Sequence, residues 1–169
     1  MRNWPKLLSQ CKRYALERPS TLTELTEASC LKTGGTVELV DMDWNYTSDD
    51  GSVTEANSLK LFVEDITEAA SSVGISLKIA DQFSNLLEEA GFVNIGKETF
   101  KLPMGPWPKD KRLKEVGLFH REQFLQGLHG IALGLLGRVS GWSQDEIQVC
   151  NAIVRKDIQN AAIHGYWYK

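Results

Sequence analysis

The pair Gly34-Gly35 constrains this chain more than any other feature. A helix-like segment precedes it, and Val37, Leu39 and Val40 follow it. Glycine reaches positive φ at little cost, so the pair lets a chain stop a helix and reverse into a strand. That is one α-to-β step of an α/β protein. A strand is expected over residues 36–40, with Asp41, Asp43 and Trp44 directly after it.

The flanking sequence extends this alternation. Residues 4–17 read as an amphipathic helix: Pro5 suits a first turn, and Leu7, Leu8, Cys11, Tyr14 and Ala15 share one face. Residues 18–30 read mainly as a polar loop, with a short helix from Thr23 as the alternative. After the turn-rich stretch 45–51, Ser52-Val53-Thr54-Glu55 matches a capping box. The helix expected next carries Leu59, Phe62, Val63, Ile66, Ala69, Ala70 and Val73 inward, with Gly74 as its stop. A shorter helix is expected from Asp81, burying Phe83, Leu86, Leu87 and Ala90 and closing at Gly91-Phe92. A second strand is expected over 93–102, bulged at Gly96. Residues 103–108 form a proline-stiffened loop. Residues 110–139 read as one long helix or two shorter ones, burying Leu113, Val116, Phe119, Phe124, Leu125, Leu128, Ile131, Ala132, Leu135 and Leu136. Gly141-Trp142 breaks the pattern, and Ser143-Gln144-Asp145-Glu146 is a second capping box. The last helix turns Ile147, Cys150, Val154, Ile158 and Ala161 inward.

Composition narrows the partners. A chain of 169 residues with 42% hydrophobic and 24% charged content is expected to form one globular domain. Its net charge of −3 offers no footprint for nucleic acid. Lys109, Lys111, Arg112 and Lys114 are interrupted by Asp110 and Glu115, and read as a solvated helix start. Cys11, Cys30 and Cys150 make neither a disulfide framework nor a metal knuckle, which suits a reducing compartment. The expected location is cytoplasmic, with the nucleus as the alternative. The first residues lack the apolar core of a signal peptide. No apolar run approaches the roughly 18 residues that a membrane span needs, so no membrane partner is expected.

The Gly34-Gly35 turn and its strand resemble the "leucine-lysine-proline-glycine-glycine" turn and fifth strand of class I S-adenosylmethionine-dependent methyltransferases, with Thr33 in the proline's place. Four further segments extend the likeness: Val40-Asp41-Met42-Asp43-Trp44, Ser48-Asp49-Asp50-Gly51-Ser52, Leu87-Glu88-Glu89-Ala90-Gly91-Phe92, and Leu102-Pro103-Met104-Gly105-Pro106-Trp107-Pro108-Lys109-Asp110. Together they resemble a fungal secondary-metabolism branch that includes the velvet-complex regulator type. Ile163-His164-Gly165-Tyr166-Trp167 is similar to the approach to that branch's last strand. The likeness covers roughly residues 31–167.

The resemblance implies an α/β fold: a partial class I, Rossmann-like sheet with a large helical lid. Residues 4–16 would be the helix before strand five. Residues 31–102 would form a strand-helix-strand core holding strands five and six. Residues 103–163 would be the lid inserted before strand seven. The implied activity is methyl transfer from S-adenosylmethionine to a small-molecule or unidentified acceptor. The alternative is a non-catalytic helical interaction module derived from such an enzyme.

Two departures from the pattern matter. The family grips the donor with a Gly-x-Gly loop, where glycine lets the backbone approach the ligand. This sequence has no Gly-x-Gly, so no cofactor-binding residue is assigned and the donor half is expected to be missing. Gly127, Gly130, Gly134 and Gly137 lie in an apolar helical pattern and read as helix-packing positions. The chain also stops at Lys169, where the family enters its last strand, between strands five and six. Those two strands are therefore expected to lack their neighbour.

Methyl transfer needs alignment of nucleophile and methyl group, and sometimes one general base. Open α/β sheets place ligands at the carboxyl ends of their strands. Asp41, Asp43 and Trp44 are expected there and are candidate substrate-binding residues. Alternatively, the two acids cap a loop and Trp44 packs on the helices. Trp107, held between prolines, either gates a pocket or plugs the helices to the sheet. Of His120, His129 and His164, none has metal-ligand spacing, and no metal site is expected. His129 reads as a structural histidine. His164, beside Tyr166 and Trp167, is the candidate base. The lid helices, with their glycine ridges, are a candidate face for a homodimer or a protein partner.

Overall fold

The computed structural model describes residues 35–169. The helix expected at 4–17, the loop at 18–30 and Gly34 lie outside the described residues. Among the described residues, the order is β1 (Asp43–Thr47), α1 (Ser58–Ser72), a 3-10 turn (Ile79–Gln82) leading into α2 (Phe83–Glu89), β2 (Lys101–Pro103), α3 (Lys111–Ala132), a π turn (Leu133–Gly137), α4 (Gln144–Ile158) and β3 (Tyr166–Tyr168). The fold is mixed α/β. Its strands form one sheet ordered β1-β3-β2, with β3 antiparallel to both neighbours. Among the described residues the sheet is small and antiparallel, and by itself it does not show the partial Rossmann-like sheet expected from the resemblance.

Strand pairing explains where the strands fall. Asp43 lies opposite Tyr168 and Thr47 opposite Tyr166, so two extra residues of β1 are accommodated by an irregularity in the ladder. Residues 36–40 lie beyond this pairing and are not a strand; β1 begins at Asp43 instead. Likewise, β2 starts only at Lys101, opposite Tyr168, and Phe100 and Lys169 exchange backbone bonds of 2.8 and 2.9 Å just before it. Residues 93–99 have no ladder, so Gly96 is no bulge. The expectation that two strands lack a neighbour between them is not met: Tyr166–Tyr168 pairs with both β1 and β2 at the centre of the sheet.

The helices follow the sequence more closely. α4 opens with the expected capping box, Ser143 and Glu146 satisfying each other's exposed amides. α1 is capped by Asn57, whose side chain accepts from the Lys60 amide at 3.1 Å, rather than by a Ser52 box. Glu55 instead pairs with Lys60 Nζ at 2.6 Å. After α1, Gly74 takes a φ of +78°, and the Ile75 amide reaches Ala70 O at 2.9 Å, closing a Schellman turn. The inward residues expected of α2 are only half-buried.

The core lies where α1, α3 and α4 meet the sheet. Leu59, Phe62, Ile66, Leu128, Leu136, Ile147, Val154 and Trp167 are all but fully enclosed. α3 buries Phe124, Leu125, Leu128 and Ala132, whereas Leu113, Val116 and Phe119 stay exposed. Gly117 sets that phase. A Cβ there would strike the Gly105 carbonyl, and the Gly105 amide donates to Gly117 O at 3.1 Å. Phe119, two residues on, is turned about 200° away from this contact. Of the glycines read as helix-packing positions, Gly137 meets a neighbouring helix closely, through Ile147 of α4; Gly130 and Gly134 face open space.

Candidate functional site

The site is built on β3. Side chains of a strand alternate between faces, so Trp167 points opposite to Tyr166 and Tyr168. Trp167 is wholly buried. Its ring lies 5.0 Å from Tyr46, 6.2 Å from Trp44, 5.3 Å from Phe124 and 5.2 Å from His120. Its Nε1 has no hydrogen-bond partner among the described residues. On the other face, the Tyr166 hydroxyl donates to Asp49 Oδ1 at 2.7 Å, and Lys101 Nζ reaches Asp49 at 2.6 Å. The backbone between these contacts is close-packed: a Cβ on Gly165 would collide with the Tyr46 phenol.

The carboxyl ends of β1 and β2 meet the amino end of β3, and three loops converge there. His164 Nδ1 sits 2.6 Å from Asp50 Oδ2, and the His164 amide donates to Ser52 Oγ at 2.8 Å. The Ser52 amide donates to Asp50 Oδ1 at 3.0 Å. The Ser52 hydroxyl and amide, with His164, hold the Asp50 carboxyl well below the usual carboxylate range. Trp107 stacks against His164, the ring centres 5.4 Å apart, and its Nε1 donates to Gly165 O at 3.1 Å. The Met104 amide donates to the same carbonyl at 2.9 Å.

A second imidazole borders this end. His120 Nδ1 lies 3.0 Å from Pro103 O. A carbonyl only accepts, so Nδ1 carries the proton and Nε2 keeps its lone pair. Burial pushes this imidazole below its ordinary value, which keeps it neutral at pH 7. His129, by contrast, tethers α3 to α4 through Asn151 Nδ2 at 3.2 Å.

The structure brings Trp107 and His164 together and separates them from the two acids. Asp43 opens β1 at its amino end, so Asp41 and Asp43 do not lie past a strand's carboxyl end. They line a cavity of about 870 Å³ with Asp81, Phe83, Leu87 and Lys97. Burial first, then the charge of Asp81, raises the Asp43 carboxyl. Trp44 lines a smaller cleft of about 290 Å³ with Lys60, Glu64 and Lys78. Asp50, Ser52 and His120 are members of the convergent site that the sequence reading does not single out. The signal for the first two was the turn Ser48-Asp49-Asp50-Gly51-Ser52. Among the described residues, no group of three or more His, Cys, Asp or Glu side chains is placed to hold a metal. No helix among them is long and apolar enough to cross a membrane.

Among the described glycines, Gly117, Gly137 and Gly165 have the closest neighbours, and these are Gly105, Ile147 and Tyr46 of this chain.

No protein-family model and no solved structure matches the chain. Curated relatives do. The chain is 32% identical over 165 residues to Methyltransferase pytC of Aspergillus terreus, covering 98% of this chain and 46% of that protein. It is 31% identical over 139 residues to Probable methyltransferase tdiE of Emericella nidulans, covering 82% of this chain and 44% of the relative. It is 25% identical over 138 residues to Protein-methionine methyltransferase laeA of Emericella nidulans, covering 80% and 36%. The chain thus spans just under half the length of the first two relatives. Along most of its length the chain is thus similar to fungal secondary-metabolism methyltransferases and to the regulators of that branch, as a part of such a protein would be.

Proposed function

We propose that this chain is the acceptor-side part of an S-adenosylmethionine-dependent methyltransferase acting on a small-molecule or unidentified acceptor. The observation that carries this reading is the similarity to Methyltransferase pytC over 98% of the chain. The strand order β1-β3-β2 supports it, because the resemblance puts the family's last strand between strands five and six. On that reading β1, β2 and β3 are parts of strands five, six and seven, and residues 103–163 are the lid.

His164 is the proposed proton acceptor. Asp50 orients the imidazole through Nδ1 and stabilises its protonated form, which leaves Nε2 to face the acceptor. Ser52 holds the Asp50 carboxylate in place, and the Trp107 ring forms an apolar wall beside the imidazole. Asp41, Asp43 and Trp44 flank the opposite end of β1, and their part in acceptor binding belongs to the same proposal. The donor is assigned to residues other than these, since the chain has no Gly-x-Gly turn.

Calorimetric titration of the chain with S-adenosylmethionine tests this division. No saturable heat is expected, and tight one-to-one binding overturns it. A fusion of the complementary half of pytC to this chain is expected to bind the donor. A fusion that folds, by circular dichroism, but does not bind overturns the methyltransferase reading itself.

A further inference from the structure

The loop that brings Trp107 to His164 is gripped by α3. Among the described residues, β2 is an edge strand of the sheet. Phe100 and Lys169 exchange both backbone bonds, so the bonds to β3 fall on alternate residues and the Pro103 carbonyl turns away from β3. Proline suits that position, because an outward-facing edge residue needs no amide. Pro103 is buried, and its carbonyl accepts from His120 Nδ1 at 3.0 Å. Burial lowers the His120 imidazole, so it makes this bond as a neutral donor. Gly105, two residues on, has a φ of +122°, which a side chain rarely adopts. Its amide donates to Gly117 O at 3.1 Å, at a contact too close for any Cβ on Gly117.

Gly117 and His120 are three residues apart and so share one face of α3. The same helix is anchored in the core by Phe124, Leu125 and Leu128. Past the loop, Asp110 caps α3 by accepting from the Leu113 amide at 2.9 Å. The loop is therefore tied to one helix at both ends, with Trp107 between them. On its other side, Gly165 O accepts from the Met104 amide at 2.9 Å and from Trp107 Nε1 at 3.1 Å. Gly165 directly follows His164, which seats the Trp107 ring centre 5.4 Å from that of the imidazole.

We propose that His120 and Gly117 are positioning residues of the candidate site: through Pro103 and Gly105, α3 sets the Trp107 ring against His164. The proposal deepens the reading of His164 as the proton acceptor and rests on it. The effect of both residues passes through the loop. A loosened loop frees the Trp107 ring and changes the wall beside the imidazole, while Asp50 and Ser52 stay where they are.

Imidazole NMR of the full chain tests this without donor or acceptor. The Trp107 ring current marks the His164 Hε1 signal, and Trp107→Leu defines that signal's full displacement. His120→Leu removes the hydrogen-bond donor and should reproduce most of it. His120→Asn, whose Nδ2 can donate in place of Nδ1, should leave the signal near its natural position. The His129 signal, tied to Asn151 of α4, should stay unmoved in every variant and reports that the helices remain packed. A His164 signal indifferent to His120→Leu overturns the proposal, since the loop then seats Trp107 unaided. Equal displacement in His120→Leu and His120→Asn also overturns it, because the donated bond is then not what matters. Should His120→Leu fail to fold, the natural chain decides. Its imidazole nitrogen shifts should place the His120 proton on Nδ1, and a proton on Nε2 overturns the proposal. Donor binding by the pytC fusion is a separate readout: its loss ends the methyltransferase reading and leaves the link from His120 to Trp107 standing.

Discussion

The two sides of the β3 strand end differ sharply in how they treat apolar residues. Around Trp167, residues from β1, α3 and β3 enclose one another, and Tyr46, Phe124 and Trp167 are each at most 6% exposed. Across the amino end of β1, Val37 and Val40 are 39% and 60% exposed and line a cavity. Both sets are strand-forming residue types. The difference is a hydrogen-bonded neighbour. Three residues of β3 organise Asp43–Thr47 and Lys101–Pro103, whereas residues 36–40 and 93–99 have no ladder partner among the described residues. Strand formation here depends on a partner as much as on strand-like sequence.

Substitutions can break or sharpen that contrast. The largest effect is expected at Trp167. Trp167→Ala should cost about 3–5 kcal/mol in urea unfolding, and a loss below about 1 kcal/mol would remove the aromatic hub as the centre of stability. Gly165→Ala forces a methyl into the Tyr46 ring and should cost about 1–3 kcal/mol; a neutral result would show that Tyr46 moves freely. Asp50 gives a pH-dependent effect. Its carboxyl is held below the unfolded value, so the stability it contributes is present above about pH 4 and is lost as pH falls from there. The stability gap between the natural chain and Asp50→Asn should be widest near neutral pH and should close toward pH 2. A gap constant with pH would mean that the carboxylate's charge is not what Ser52 and His164 stabilise. The smallest effect is expected on the open flank, where Val40→Ser should change stability by no more than about 0.5 kcal/mol. A loss comparable to Trp167→Ala would erase the contrast between the two regions.

The helices are legible in the sequence because their determinants are local. Ser143 and Glu146 lie three residues apart, and Gly74 and Gly91 stop helices through their own positive φ. The strands are displaced because their bounds are set by residues more than 60 positions away in sequence. Ser52-Val53-Thr54-Glu55 has the pattern of a cap, yet the Ser52 hydroxyl is taken by the His164 amide, 112 residues away. Asp50 and His164 are 114 residues apart, so no local spacing announces their pairing. Trp107 and His164 stand out because rigid prolines and an aromatic run mark them. Phe119 misleads because α3 carries more apolar residues than its buried stripe can use.

The position of β3 has a consequence for the order in which the molecule can be made. It is the last described element in sequence and the middle one in the sheet. On the ribosome, β1 and β2 would emerge well before the strand that joins them. Closing pairs such as Asp43 with Tyr168 means bringing together residues 125 positions apart, a slow step with a large entropic cost. Until Tyr166–Tyr168 is synthesised, the nascent chain can form its helices but not its sheet. The convergent cluster of Asp50, Ser52, Trp107 and His164 would therefore be among the last features to assemble.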